Sequence, residues 1–194
     1  MPELNPDYWN NRYRQEDATW DVGSITTPLK IWFDQLQDPS ARILIPGCGN
    51  SYEAEYLHNK HFDHVNLVDY SADALDSFKR RVPGFPAQNL FCEDFFAHRG
   101  TYDYIIEQTF FCALDPSLRK AYAEKCNSLL DKGGKLVGLL FDAPLNTDKP
   151  PFGGTKEEYL KYFEPLFVIK TLDICHNSIA PRAGREFFVQ LIKK

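Results

Sequence analysis

The sequence predicts an α/β domain, with a mostly parallel sheet and an antiparallel closing edge. Three features carry this. β-rich runs alternate with helical ones along most of the chain. A turn bearing Gly47 and Gly49 joins the first strand to its helix. Two alternating β-rich runs, FVIKTLDIC and EFFVQLIK, end the sequence.

The elements follow in order. Tyr8 to Arg14 reads as a short aromatic-bearing helix. Thr27 and Pro28 read as N-cap and first helical position of a helix through Leu36. Arg42 to Ile45 is a first strand, and Tyr52 to Lys60 its helix. HVNLVDYS holds a second strand ending at Asp69, after which Ser71 caps a helix to about Arg81. NLFCEDFF is a short third strand with an acidic exit, and YDYIIEQ a fourth. Asp115-Pro116 opens a helix through Leu130, closed by Lys132-Gly133-Gly134 ahead of a fifth strand, KLVGLLF. TKEEYLKYF is a last helix. The loop HNSIAPRAG lets the final two runs pair as a hairpin. Residues 1–194 are expected to form a single domain, with 1–37 as an N-terminal cap and 38–194 as the core.

With 194 residues and 43% hydrophobic content, the chain is long enough for a full core. Its formal charge of -5 carries no basic arm or stripe, which disfavours nucleic acid as a partner. No apolar run reaches membrane-span length, so no membrane partner is expected. The first residues, MPELNPDYWNNRY, lack the charged-then-apolar pattern of a secretion signal. Five scattered cysteines without a C-x-x-C spacing read as reduced thiols of a cytoplasmic protein. A monomer acting on a small molecule is the expectation. His58, His61 and His64 are spaced by three but lack a carboxylate or cysteine partner nearby, so no metal site is assigned and a solvated rim is preferred. His98 and His176 read as loop residues without a recognisable partner.

In sheets of this kind a ligand sits at the carboxyl ends of the strands. The first strand leads into Gly47-Cys48-Gly49, and the second ends at Asp69, placed for ribose hydroxyls. The third ends at Glu93-Asp94-Phe95, where a carboxylate and a backbone amide suit an adenine edge. The fourth ends at Glu107-Gln108-Thr109. A dinucleotide fingerprint requires a third glycine where Tyr52 stands. S-adenosylmethionine has no phosphate and needs only a glycine turn beside its amino-acid tail. Taken alone, P-G-C-G suits a plain tight turn as well as a ligand site; the acidic strand ends favour the ligand.

The segments LIPGCGNSYE, VDYSADAL, CEDFF, TFFCALDPSLRKAY and WDVGSITTPL resemble the thiopurine methyltransferase family of class I methyltransferases, nearest its halide/thiol branch. The resemblance implies a seven-stranded Rossmann-like fold with an N-terminal helical cap, and S-adenosylmethionine as cofactor. It implies cofactor contacts at Trp9, Tyr13 and Trp20, at Gly47 and Gly49, at Asp69 for ribose, at Glu93 and Asp94 with Phe95 for adenine, and at Gln108. Gln108 departs from the arginine of thiopurine enzymes and the tyrosine of the plant halide branch. Phe152 stands near a tyrosine of that branch. Aromatic faces suit a sulfonium cation and exclude water; ordinary core packing is the other account of Trp9 and Trp20.

The expected acceptor pocket is apolar: Val22, Thr109, Phe110, Phe111 and Phe152, with Arg182 and Arg185 placed to rim it, solvated surface charge being the preferred account of at least one of the two. Phe110 and Phe111 equally suit the core, and the loop DKPPFGG equally suits plain surface. No catalytic residue is assigned. A soft nucleophile such as a thiol, hydrosulfide or halide needs no strong base, since a thiol of reference pKa about 8.5 is already partly ionised at neutral pH. The alternatives are a thiopurine or tellurite/selenite methyltransferase of the same fold, a non-catalytic cofactor binder and an NAD-dependent oxidoreductase.

Overall fold

The computed structural model describes residues 2–15, 17–18 and 20–194. Seven strands, β1 (Ile43–Pro46), β2 (Val65–Asp69), β3 (Leu90–Cys92), β4 (Tyr102–Gln108), β5 (Leu130–Phe141), β6 (Phe167–Ile174) and β7 (Glu186–Lys193), form one sheet in the order β3-β2-β1-β4-β5-β7-β6. The pairs from β3 to β5 are parallel, and β7 inserts antiparallel between β5 and β6. The closing hairpin is therefore present, and its second strand is the inner one. The mixed seven-stranded sheet matches the fold class expected.

The inner strands read as unbroken apolar runs because both faces of the sheet are covered. Successive side chains alternate between two cores. Ile43 and Ile45 join Leu67, Ile106 and Val137 on one side. Leu44 joins Val68, Ile105 and Leu136 on the other. The first core is closed by α2 (Thr27–Phe33), α3 (Tyr52–Asn59) and α4 (Ala72–Arg81), and the second by α5 (Arg119–Leu129) and α6 (Lys156–Phe163).

Some boundaries shift for physical reasons. Thr26, not Thr27, precedes α2, and its side chain makes no cap bond, because its Oγ1 donates to Gln108 Oε1 at 3.4 Å. The helix ends at Phe33 rather than Leu36. α5 begins at Arg119 behind a 3-10 turn at Pro116–Leu118, where the Asp115 side chain accepts the Ser117 amide. Lys132-Gly133-Gly134 lies inside β5 rather than closing the helix; Gly133 takes φ +75° opposite an irregularity in β4 between Tyr102 and Tyr104. Ser71 caps α4 as expected, accepting the Ala74 amide at 3.1 Å.

α1 (Pro6–Arg14) buries none of its residues. It is docked by polar contacts instead. Ser71 Oγ donates to Asn10 Oδ1 at 2.7 Å, and Arg14 pairs with Asp73 at 2.7 Å. By contrast α2, within the expected cap segment, buries Leu29, Trp32 and Phe33 in the core. All five cysteines are free thiols. Among the described residues, no helix is long and apolar enough to cross a membrane.

Candidate active site

The strand order reverses between β1 and β4, and the carboxyl ends of β1 to β5 open there into a cavity of about 360 Å³. That size and a largely apolar wall suit a small organic ligand. Of the residues read from the sequence, Trp9, Tyr13, Trp20, Gly47, Asp69, Glu93, Asp94, Phe95, Thr109, Phe110 and Arg182 line it. Gly49, Gln108 and Val22 line a smaller cavity of about 50 Å³ alongside, which shares Trp20, Gly47 and Thr109 with the first. Phe111 and Phe152 do not reach either one. Phe111 packs edge-on against Tyr122 and Tyr159 in the core. Phe152 is 2% exposed, and its neighbours Pro150 and Pro151 form the cavity wall in its place.

The turn after β1 needs its glycines twice over. Gly47 and Gly49 take φ +55° and +52°, which L side chains rarely adopt. A Cβ on Gly47 would strike the Phe110 ring at 2.1 Å, and one on Gly49 the Tyr13 hydroxyl at 2.6 Å. The backbone is thus bare on account of two aromatic side chains of the chain itself. Asp69 braces the same turn. Its Oδ2 accepts the Gly49 amide and its Oδ1 the Ser71 amide, both at 2.8 Å. Burial pushes this carboxyl up, while the amides of Gly49, Ser71 and Tyr70 pull it back. Each oxygen keeps a lone pair for a further donor.

The β3 exit carries an acidic pair. Asp94 Oδ1 accepts the Phe96 amide at 2.8 Å. Glu93 Oε1 lies 2.6 Å from Nδ1 of His98, whose Nε2 lies 2.7 Å from the Tyr102 hydroxyl. His98 therefore has two partners. It is buried, and neither contact was legible in the sequence. Burial raises Tyr102 to about 12, so its hydroxyl stays protonated.

Over these ends sits an aromatic cluster. Trp20 meets Trp9 and Tyr13 edge-on, with ring centroids 5.8 and 6.0 Å apart. The Arg12 guanidinium lies over Trp20 at 5.0 Å, so the ring already accepts a cation. Arg182 anchors this segment from the β6–β7 loop, donating from Nη2 to the Trp20 carbonyl at 2.8 Å. Its Nη1 is buried and has no partner among the described residues. Phe141, Leu145, Pro150, Pro151, Pro181 and Arg185 complete the β5–β7 end of the cavity.

Glu107, read as part of the fourth strand's end, lines neither cavity, and Glu53 and Arg119 escaped the sequence reading. Glu107, 1% exposed, accepts the Phe110 and Phe111 amides at 2.7 and 2.8 Å and the Tyr122 hydroxyl at 2.5 Å. It holds the turn in which Thr109 takes φ +61°. Glu53, at the start of α3, is buried and raised by desolvation to about 7. Arg119, at the start of α5, is buried at 2% exposure. An isolated acid inside an apolar run, Glu107 in YDYIIEQ, was the available signal that this carboxyl is buried and held by the chain itself.

A reversal point flanked by β1 and β4, a glycine turn braced by the β2 carboxylate and an antiparallel β7 define a class I methyltransferase. The chain belongs to the thiopurine S-methyltransferase family, whose match spans residues 4–187, and it is an S-adenosylmethionine-dependent methyltransferase. It is 30% identical to a probable thiol methyltransferase 2 of Arabidopsis thaliana, covering 96% of this chain and 84% of that one. It is 27% identical to thiocyanate methyltransferase 1 of the same plant, over 92% and 81% of the two chains. The fold is shared with the 1,6-didemethyltoxoflavin-N1-methyltransferase of Burkholderia thailandensis, solved with bound 1,6-didemethyltoxoflavin and S-adenosylhomocysteine. That comparison has a TM-score of 0.77 at 15% identity and covers 100% of this chain and 92% of that one.

Proposed function

We propose that the protein methylates a small soft nucleophile, a thiol or hydrosulfide ahead of a halide. The observation that carries this reading is the β5–β7 end of the cavity. It is walled by Phe141, Leu145, Pro150, Pro151 and Pro181, with the Nη1 of Arg182, unpartnered among the described residues, beside them. Apolar walls suit a polarizable nucleophile that sheds water before attack, and a buried guanidinium suits one that arrives as an anion.

The cofactor's place in this reading rests on the donor and acceptor set at the other end. Asp69 keeps free lone pairs for two ribose hydroxyls. Glu93 and Asp94 with Phe95 offer acceptors and a ring for a nucleobase. Gly47, Gly49 and Gln108 border the small cavity, which suits the start of an amino-acid tail. Trp9, Tyr13 and Trp20 offer faces to a sulfonium, each contact worth about 0.5–2 kcal/mol. S-adenosylmethionine, when bound, supplies an electrophilic methyl group on sulfur. The chain's residues then align donor and acceptor, and positioning provides much of the rate of an in-line displacement. Trp20, held at its carbonyl by Arg182, covers the reacting end and keeps water out.

Two measurements test this. Titration calorimetry should detect binding of S-adenosylhomocysteine and none of NAD. A panel of hydrosulfide, small thiols, iodide, thiopurines and metalloid oxyanions, read by S-adenosylhomocysteine formation, should give the highest kcat/KM with hydrosulfide or a small thiol. A maximum with a thiopurine or a tellurite or selenite oxyanion would replace this reading with the second one.

A further inference from the structure

We propose that Arg119 is a positioning residue that clamps the Asp142–Gly154 loop against the acceptor end of the cavity. The assignment rests on the reading of that end as the acceptor site. Arg119 opens α5, on the far side of the turn that follows β4. Its Nη1 pairs with Glu158 Oε1 at 2.7 Å, and its Nη2 donates to the carbonyls of Gly153 at 2.7 Å and Phe152 at 3.4 Å. The guanidinium also lies over the rings of Phe111 at 4.9 Å and Tyr159 at 5.9 Å. One planar cation therefore joins α5, α6 and the loop.

Other ties hold the ends of the loop: the Asp142 amide donates to the Arg185 carbonyl at 2.7 Å, and Ala143 bridges to Gly154 across its neck. The Phe152 amide donates to the Cys112 carbonyl at 2.7 Å, and Asn146 bonds Pro150 and Pro151 within the loop itself. Yet Leu145, Pro150 and Pro151 form the cavity wall. A buried guanidinium is a poor choice for stability alone, because desolvation offsets most of its attraction, and its Nε has no partner among the described residues. Its distinctive property is geometric: a rigid fork meets a carboxylate and two carbonyls at once, which a lysine cannot.

Arg119→Lys keeps the charge and loses the fork. Glu158→Ala removes the half-exposed partner and leaves Arg119 in place. Gly153→Ala acts from the loop side, since its Cβ would strike the Ala143 carbonyl oxygen at 2.0 Å. All three should raise KM for hydrosulfide by about tenfold, with kcat and S-adenosylhomocysteine affinity changing by less than about threefold. Hydrogen–deuterium exchange across residues 143–154 should quicken by about tenfold or more, while β4 and β5 keep their protection. Exchange in Arg119→Lys and Glu158→Ala that matches the parent overturns the clamp. Faster exchange with an unchanged KM overturns the loop's part in acceptor binding. Should the parent fail to bind S-adenosylhomocysteine, the functional reading falls while the exchange result still decides the clamp. Should Arg119→Lys fail to fold, Glu158→Ala and Gly153→Ala decide it.

Discussion

The Asp69 carboxylate at the end of β2 accepts the backbone amide of Gly49 at 2.8 Å, so the acid proposed to hold the ribose also shapes the turn leaving β1. Two consequences of one side chain are thereby linked. Asp69→Asn keeps the size but turns one oxygen into an N–H group that must face either the Gly49 or the Ser71 amide. The variant should lose thermal stability and bind S-adenosylhomocysteine more weakly by about 1.5–3 kcal/mol, roughly tenfold to a hundredfold. Calorimetric affinity equal to the parent's would remove Asp69 from the cofactor site.

Trp20→Ala separates cover from core. Its carbonyl bond to Arg182 survives the substitution, because that contact is made by the backbone. The ring meets Trp9, Tyr13 and Arg12 above the cavity. Turnover should fall by about tenfold or more, from lost cation contact and admitted water. The melting temperature without cofactor should move little. A large loss of melting temperature with normal turnover would make Trp20 a packing residue.

Gln108→Tyr tests whether the residue proposed beside the cofactor's amino-acid tail also governs acceptor choice. Gln108 Oε1 accepts a bond from Thr26 Oγ1 and borders the small cavity with Val22 and Thr109. Tyrosine removes an amide that a thiol can use and brings the residue of the halide branch. The ratio of kcat/KM for iodide over hydrosulfide should rise by about threefold or more. A level or falling ratio would show that selection lies elsewhere in the cavity.

Glu53 supplies a pH dependence. Burial raises its pKa from 4.5 to about 7, with attraction to Arg182 opposing the rise. A carboxyl raised on folding binds more protons in the native state than in the unfolded one between those values. Its contribution is therefore fully present below the unfolded pKa and is lost as pH rises through about 7. Glu53→Gln should be more stable than the parent at pH 8 by about 1–3 kcal/mol, and this advantage should shrink as pH falls toward 5. Urea melts at the two pH values measure it; a gap independent of pH would mean that Glu53 titrates normally.

The class of fold was legible because its signals are local. Apolar runs, caps such as Ser71, and the glycines of the β1 turn act within a few residues, so their pattern survives in the sequence. The acidic ends of β2 and β3 were legible for a related reason. In a parallel sheet every strand points its carboxyl end to the same side, so Asp69, Glu93 and Asp94 had to meet near Gly47.

Only the tertiary structure decided what each polar residue does there. Phe110 and Phe111 are adjacent and alike, yet one lies against Gly47 at the cavity and the other packs into the core. The turn held by Glu107 sends them apart. His98 looked partnerless because its two partners reach it from either side of the connection, Glu93 from the exit of β3 and Tyr102 from the start of β4. Arg119 finds its carbonyls across the domain, on a loop that the sequence marked only by proline and glycine. Strand and helix follow from the spacing of neighbours along the chain. A buried charge follows from whichever partner the packing brings to it, and its desolvation makes that partner obligatory without saying which one it is.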